Sequence, residues 1–449
     1  MKIRFKQIIS CMAVAGMALA AHAREGQEPQ GQPQPQEQQG TVSGNSMLQL
    51  TLKEAQEHAL LHNKNILNAG LAVSEAQKKV WESISAGLPQ VNATLDYQNM
   101  MGFKMNFAGM SIAMEPTSTF QAQVTQLLFN GSYWTGIKMA KIGEEMSETM
   151  RQQSELDIKQ QVRSAYLSIL VTQENRAILE KSLADMETLA KSTADMVKIG
   201  VAEQTDADQL TVQVASVMNN IKMVERGLEL AYNLLRFHLG VDMNTTVVLK
   251  DSLNSLMSET AVQATLGTPF EPDNNYSVRL LDKQTELARK QMQLEQTSVL
   301  PSIGLFYNYT YKLKASTFDM TPQNIIGLQA SIPIFASGSR HSKIQQAKIG
   351  VETAQNNRDL ATEQLLLQEK QLRFNLNNAL ETLHLQKETL TVSQRVLESV
   401  LRKFRQGVSS SLDVTTANTS LLQAQGNYIS AVNDVATALT ELEKLLNTL

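Results

Sequence analysis

"LPQVNATLDY" at residues 88–97 is echoed by "LPSIGLFYNY" at residues 300–309, 212 positions further on. In each copy a run of helix-forming residues ends at a proline, and alternation begins. Val91, Ala93, Leu95 and Tyr97 fall on one side; Asn92, Thr94, Asp96 and Gln98 fall on the other. In the second copy Ile303, Leu305, Tyr307, Tyr309 and Tyr311 alternate with Gly304, Phe306, Asn308, Thr310 and Lys312. A period of two is the signature of a strand. Proline pushes the residue before it out of the helical region. Each stretch therefore reads as the point where a helix becomes a strand.

The echo extends well beyond these ten residues. "HNKNILNAGLAVSEAQKKVWESISAGLP" (62–89) aligns with "DNNYSVRLLDKQTELARKQMQLEQTSVLP" (273–301), and "FQAQVTQLLFNGS" (120–132) with "IGLQASIPIFASGS" (326–339). "AKIG" occurs at 140–143 and at 347–350. The return strands also alternate: Phe120, Ala122, Val124 and Leu128 against Gln121, Gln123 and Thr125; Ile326, Leu328, Ala330, Ile332 and Ile334 against Gly327, Gln329, Ser331 and Pro333. The chain is an internal duplication. The expected division is a first repeat over 47–249, a linker over 250–272 and a second repeat over 273–449. Each repeat reads helix, strand, strand, very long helix, helix.

Proline placement supports the helices. Prolines stand at 29, 33, 35, 89, 116, 269, 272, 301, 322 and 333, with none between 117 and 268 and none after 333. A helix interior excludes proline, and both empty tracts are rich in good helix formers. Leu376, Leu383, Leu390, Leu397 and Phe404 recur every seven residues, the seam of coiled-coil packing. Helices over roughly 134–199 and 340–405 would each be ~100 Å long at the α-helical rise. Shorter helices are expected near 53–87, 206–239, 274–299 and 412–447. Sharp breaks separate the long helices from the last short ones. "KIGVAEQTDAD" (198–208) and "RQGVSSSLDV" (405–414) each carry a basic last turn, a glycine C-cap, a short loop and an Asp- or Ser-capped new helix.

The N-terminus reads as export machinery. Lys2, Arg4 and Lys6 precede an apolar run over 8–21, and Ala21-His22-Ala23 is a small-x-small cleavage signal, so 1–23 is a secretory signal peptide. Ile8-Ile9-Ser10-Cys11 also passes for a weak lipoprotein-processing signal, but cutting there would leave half the apolar run on the mature chain. Cys11 is the only cysteine, so cleavage after Ala23 leaves none for disulfides, thiolate metal sites or catalysis. Residues 24–46, rich in Gln, Pro and Gly, cannot bury a core and should form a disordered leader. The formal charge of −4 becomes about −7 once the three leader cations are removed, which argues against a nucleic-acid partner.

Apolar-out, polar-in strands suit either a sheet on a core or the wall of a membrane barrel. The helices look committed to one another, leaving nothing to cover the sheet. Tyr97, Tyr307, Tyr309 and Tyr311 fit an interfacial aromatic belt. Four long strands are too few for a barrel, and open edges are untenable in lipid. The barrel reading therefore demands several chains, and three would supply twelve strands.

Together the duplication, the two "LP" strand starts, the "FNGS" and "FASGS" strand-to-helix corners and the two Gly…Asp turns resemble the TolC-type outer-membrane efflux protein family. The likeness spans roughly 48–447. It implies an α+β membrane protein: a homotrimer with a twelve-stranded β-barrel in the outer membrane and a periplasmic tunnel of long antiparallel helices. It also implies an exit duct of an efflux or secretion system, working with a periplasmic adaptor and an inner-membrane transporter and catalysing nothing. The rival reading is a non-pore periplasmic coiled coil of structural or adhesive role. In the family reading the turns near 200 and 407 lie at the periplasmic tip, where Gly200, Val201, Gly407 and Val408 would meet the adaptor. Asp206, Asp413 and Thr416 would mark the periplasmic entrance, and Asp413 matches an aspartate that lines it in the family. Where the family pattern can hold a second one, this chain has Thr416. The plainer account makes Asp206 and Asp413 first-turn acids favoured by the helix dipole and the glycines ordinary C-caps.

Other chemistry is sparse. His58 and His62, with Glu54 a turn earlier, have helical metal-ligand spacing, but no third cluster accompanies them, and a polar helix face is the better reading. The 100–116 segment holds Met100, Met101, Met105, Met110 and Met114, soft-metal donors that are also flexible packing residues. No cofactor or metal is expected.

Overall fold

The computed structural model describes residues 47–107, 110–113, 115–315 and 321–449. The signal peptide, Cys11 and the Gln/Pro-rich leader lie outside the described residues, as does Met114.

The first half runs β1 (Met47–Leu50), α1 (Leu52–His62), α2 (Lys64–Ser85), β2 (Gln90–Gln98), a short hairpin of β3 (Lys104–Phe107) and β4 (Met110–Ala113), β5 (Thr117–Asn130), α3 (Gly131–Lys198), α4 (Gln204–Leu239) and β6 (Thr246–Leu249). Two short helices follow, α5 (Leu253–Leu256) and α6 (Glu259–Gly267), then a single 3-10 turn. The second half runs α7 (Tyr276–Thr297), β7 (Ser302–Lys314), β8 (Asn324–Ser331), α8 (Ser339–Arg405) and α9 (Ser411–Leu445). At 68 and 67 residues, α3 and α8 are each about 100 Å long.

Two expectations need correction. The helix expected over 53–87 is broken at Asn63, whose extended backbone ends α1 and whose side chain caps α2 by accepting from the Asn65 N–H at 2.8 Å. Asn275 caps α7 in the same way, accepting from Ser277 at 2.9 Å. The alternation read through Ile334 stops pairing at Ser331, because Pro333 has no N–H to give a ladder. Pairing also occurs beyond the four long strands: β1 and β6 form a parallel pair, and β3 and β4 a hairpin.

The four long strands form one antiparallel sheet in the order β2-β5-β7-β8. Its register stacks like on like. Val91, Val124, Tyr307 and Ile326 share one row, and Leu95, Phe120 and Tyr311 another. Both rows lie on the same face, four residues apart along each strand, with Ala93, Ala122 and Tyr309 in the row between. The opposite face carries Asn92, Gln123 and Asn308 in one row and Thr94, Gln121 and Thr310 in another. No described helix packs on the sheet, so its apolar face stands in the open: Val91 is 70% exposed, Leu95 68% and Ile326 72%.

The helices bury their seams on one another. α3 packs on α2, α4 and α7, and α8 on α7 and α9. Midway along α3, Ile158, Val162, Ala165, Tyr166 and Ile169 meet Leu52, Ala55 and Ala59 of α1, and Leu235 and Leu239 of α4. The heptad residues Leu390, Leu397 and Phe404 are buried with Val414, Ala417 and Leu421 of α9; Leu376 is fully buried, and Leu383 packs beside it half-buried. The Tyr166 hydroxyl lies 3.1 Å from both the Leu50 carbonyl and Asp251 Oδ2 and accepts from the Asp251 N–H at 3.2 Å. Burial pushes its pKa up to about 12, so it stays a neutral donor holding β1 and the β6 exit together. Across the two halves, Arg163 of α3 meets Glu443 of α9 at 2.8 Å in a mostly buried ion pair.

Gly240 closes α4 at φ +71°, and a Cβ placed there would lie 2.5 Å from the His62 carbonyl oxygen. Beside it, Asn63 Nδ2 donates to the His238 carbonyl at 2.8 Å. Gly240→Ala should therefore destabilise the chain by about 1–3 kcal/mol, from left-handed strain and the clash together. A lowered urea midpoint followed by circular dichroism is the expected result; an unchanged midpoint would show that the α1–α4 contact gives way freely.

Candidate functional site

The two tight turns between long and short helices carry most of the residues singled out in the sequence. In the first, the N–H of Gly200 donates to Val197 and that of Val201 to Met196, with Gly200 at φ +76°. In the second, Gly407 donates to Phe404 and Val408 to Lys403, with Gly407 at φ +72°. Both are helix ends closed by a left-handed glycine. Neither glycine would meet a neighbour within 4 Å on gaining a Cβ, so their requirement is one of backbone conformation. The residue after each is presented outward: Val201 is 71% exposed and Val408 73%, with Ile199 and Leu412 also exposed.

The following helices begin with matching caps. Asp413 Oδ2 accepts from the Ser410 N–H and the Ser410 hydroxyl, both at 2.9 Å, while Ser410 Oγ accepts from the Asp413 N–H at 3.2 Å. These Ser410 hydrogen bonds, with Lys403 nearby, hold the Asp413 carboxyl below its ordinary pKa. Asp206 plays the same part for α4, accepting from the Glu203 N–H at 3.2 Å. The plainer account of both acids as first-turn caps thus describes their local geometry.

The two acids differ in what else they touch. Asp206 is half-buried and its Oδ1 accepts the Ser411 hydroxyl of α9, which also lies 3.1 Å from Gln209 Oε1. A turn and more along, Asn418 Nδ2 reaches Gln213 Oε1 at 3.4 Å. Asp206 therefore ties the first hairpin to the second. Asp413 is fully exposed, and Thr416, one turn on, lies exposed beside it; the Thr416 carbonyl accepts from Ser420 Oγ at 3.0 Å. The structure groups Asp413 with Thr416 on an open stripe and separates Asp206 from them. Ser411 carried only the signal of a helix-capping serine, and Gln209, Gln213 and Asn418 carried none: polar residues in a helical tract read as surface until a second helix is placed against them.

The tyrosines are stacked in height rather than level. Tyr307, Tyr309 and Tyr311 follow one another on the apolar face, and Tyr97 pairs with Ser118, one row beyond the Phe120 level. Each two-residue step is ~7 Å along a strand. Tyr307 Oη donates to Asn324 Oδ1 at 2.8 Å. Tyr97 and Tyr311, at the end away from the helices, are the most exposed, at 69% and 50%.

His58 and His62 stack at 4.1 Å, and the His62 Nδ1 is 3.0 Å from the His58 carbonyl oxygen. Burial first, and the neighbouring His62 second, lower the pKa of His58. The pair belongs to the α1–α4 contact. Among the described residues no group of three or more His, Cys, Asp or Glu converges as a metal site, and no helix is long and apolar enough to cross a membrane.

The profile of the outer membrane efflux protein family matches residues 55–241 and 273–448. The chain belongs to the outer membrane efflux protein family. Among curated members, the outer membrane protein TolC of Vibrio cholerae is 21% identical over 89% of this chain and 91% of its own length. The outer membrane efflux protein BepC of Brucella suis is 22% identical over 89% of this chain and 86% of its own. Among solved structures, CusC superposes with a TM-score of 0.73 at 16% identity, covering 88% of this chain and 92% of that one. That last likeness speaks to the efflux-protein fold, with its long helices and exposed sheet.

The Asp413 cap makes a prediction about pH. A carboxyl whose folded pKa is depressed stabilises above its unfolded value and loses that contribution as pH falls through the folded one. The start of α9 should therefore hold its amide protection from neutrality down to about pH 4 and fray below it, as read by hydrogen exchange. Asp413→Ala should show the frayed rate at every pH; protection equal to wild type at neutral pH would remove the cap from the account.

Proposed function

We propose that three copies of this chain close into one outer-membrane exit duct, a twelve-stranded barrel continued by a tunnel of long helices. The observation that carries the reading is the four-stranded sheet with an open apolar face. Its outer strands, β2 and β8, have no neighbour beyond them among the described residues. In lipid such edges leave backbone groups unsatisfied at several kcal/mol each. β2 and β8 run in opposite directions, so placing the β8 of one copy beside the β2 of the next extends an antiparallel ladder with no break. Three repetitions give twelve strands, an even number within the range of such barrels. A coiled-coil scaffold without a pore has no use for this sheet.

The rest follows from the helices. Their turns lie at the end remote from the sheet, which in this reading is the periplasmic end. There Gly200-Val201 and Gly407-Val408 offer small, outward apolar contacts to a periplasmic adaptor, which couples the duct to an inner-membrane transporter. Three copies of the Asp413–Thr416 stripe line the entrance, while Asp206, tied to Ser411, keeps the two hairpins of one copy together. The duct passes cargo outward and catalyses nothing itself; the signal peptide, cut after Ala23, delivers the chain to the envelope.

Envelope fractionation with unheated gels tests the proposal. The protein should partition with the outer membrane and run at the size of three chains until boiled. Recovery in the soluble or inner-membrane fraction, or as a monomer in mild detergent, would overturn it.

A further inference from the structure

The corner where the sheet meets the helices carries an apolar patch that the duct's transport role does not use. The register places Phe129 beside Ile303 on the apolar face of the sheet. Past the end of β8, whose Ala330 pairs with Ile303, Ile334 is 90% exposed and Phe335 84%. Just beyond, on the helices, stand the only two tryptophans of the chain, Trp81 at 59% and Trp134 at 67% exposure. They are at nearly one height. Tyr133 Oη donates to the Ile84 carbonyl at 2.8 Å, and Gly87 leaves space for the Tyr133 ring, so the first turn of α3 lies against the last turns of α2. Trp81 and Trp134 are then within about one helical turn of each other along the axis.

Charge follows the aromatics in a fixed direction. On α3, which runs away from the sheet, Lys138 and Lys141 are four and seven residues past Trp134, on the same stripe, and exposed. On α2, which runs toward the sheet, Lys78 is exposed three residues before Trp81, beside the Lys79–Glu75 ion pair, while Glu82 is the exposed acid next to Trp81. Both helices thus present tryptophan nearer the sheet and lysine farther from it. Tryptophan settles at the headgroup level of a bilayer, and lysine reaches past it to the phosphates.

The spacing agrees. Tyr97, Phe120 and Tyr311 mark the far end of the apolar face. Ile303 and Tyr311 are eight residues apart, about 26 Å along the strand and about 20 Å along the membrane normal at the usual barrel tilt. The step down to Trp134 brings this close to the ~25 Å apolar band that two aromatic girdles enclose.

We propose that Trp81 and Trp134, with Lys78, Lys138 and Lys141 behind them, form a second girdle that seats the sheet–helix corner in the anionic headgroup zone of the periplasmic leaflet. This rests on the reading of the sheet as a membrane wall. It fixes where the membrane ends on the molecule, a boundary that the tyrosines alone do not set.

The two tryptophans are their own probes. The full-length trimer is reconstituted in phosphatidylethanolamine–phosphatidylglycerol vesicles whose lipids are brominated near the headgroup or near the bilayer centre. Shallow bromines should remove about half or more of the emission, deep bromines less, and aqueous iodide little. Brominated phosphatidylglycerol should quench more than brominated phosphatidylethanolamine, and Lys78→Gln, Lys138→Gln and Lys141→Gln together should abolish the difference; no difference in the wild type would overturn the basic part. Quenching by iodide alone would place the tryptophans in water, and quenching by neither would bury them between copies; both results overturn the girdle. A Trp81→Phe/Trp134→Phe chain carrying Ile326→Trp separates the two readings. Deep-lipid quenching there, with none at the native tryptophans, leaves the membrane wall standing and removes the girdle. No lipid quenching at Ile326→Trp would sink the wall itself.

Discussion

Backbone hydrogen bonding at the edges of the sheet governs everything else in this molecule. Four strands with one apolar face suit lipid on that side only if no strand is left open, because a peptide group without a partner there costs several kcal/mol. Among the described residues β2 and β8 leave two open edges per chain. Among the described residues the remaining strands pair elsewhere, β1 with β6 and β3 with β4, and the other long elements are helices. In the proposed duct closure comes from other copies, and stoichiometry becomes a consequence of backbone chemistry. In that duct the polar rows, such as Asn92, Gln123 and Asn308, would line a water-filled interior and the apolar rows would face out.

The helices answer a different demand. Isolated helices gain little in water, so two helices of about 100 Å persist only by burying a seam along their whole length. Leu376, Leu390, Leu397 and Phe404 do this for α8, and the Ile158–Ile169 run does it for α3. The seam between the two hairpins near the turns is more polar, with Asp206–Ser411 and Gln213–Asn418 bridging α4 and α9. Buried polar pairs contribute less net stability than apolar packing of equal size, but they set register.

Much of this was legible from residue order. The Leu-Pro starts, the period-two stretches and the proline-free tracts placed the long elements to within a few residues, because each rests on a strong local rule: proline geometry, pleat, helical pitch. What escaped detection depends on tertiary contact. The break at Asn63 exists because α1 turns aside to dock on the end of α4, and Asn63 looks like any polar helix residue until His238 is placed beside it. The parallel β1–β6 pair joins four-residue segments nearly 200 positions apart, too short for a periodic signal. At the turns, the glycines and capping acids were readable from type and spacing. That Asp206 would bridge to Ser411 while Asp413 stays open was not, since both occupy the same place in the sequence pattern.

The central claim is ring closure through β2 and β8, and cysteine cross-linking between those strands measures it directly. Pairs of cysteines, one within Gln90–Gln98 and one within Asn324–Ser331, are introduced into a chain whose only natural cysteine is Cys11. Oxidation in the membrane should give, for the pairs in register, a covalent ladder that ends at three chains. A ladder continuing past three, or chains that never cross-link at any register, would contradict the account.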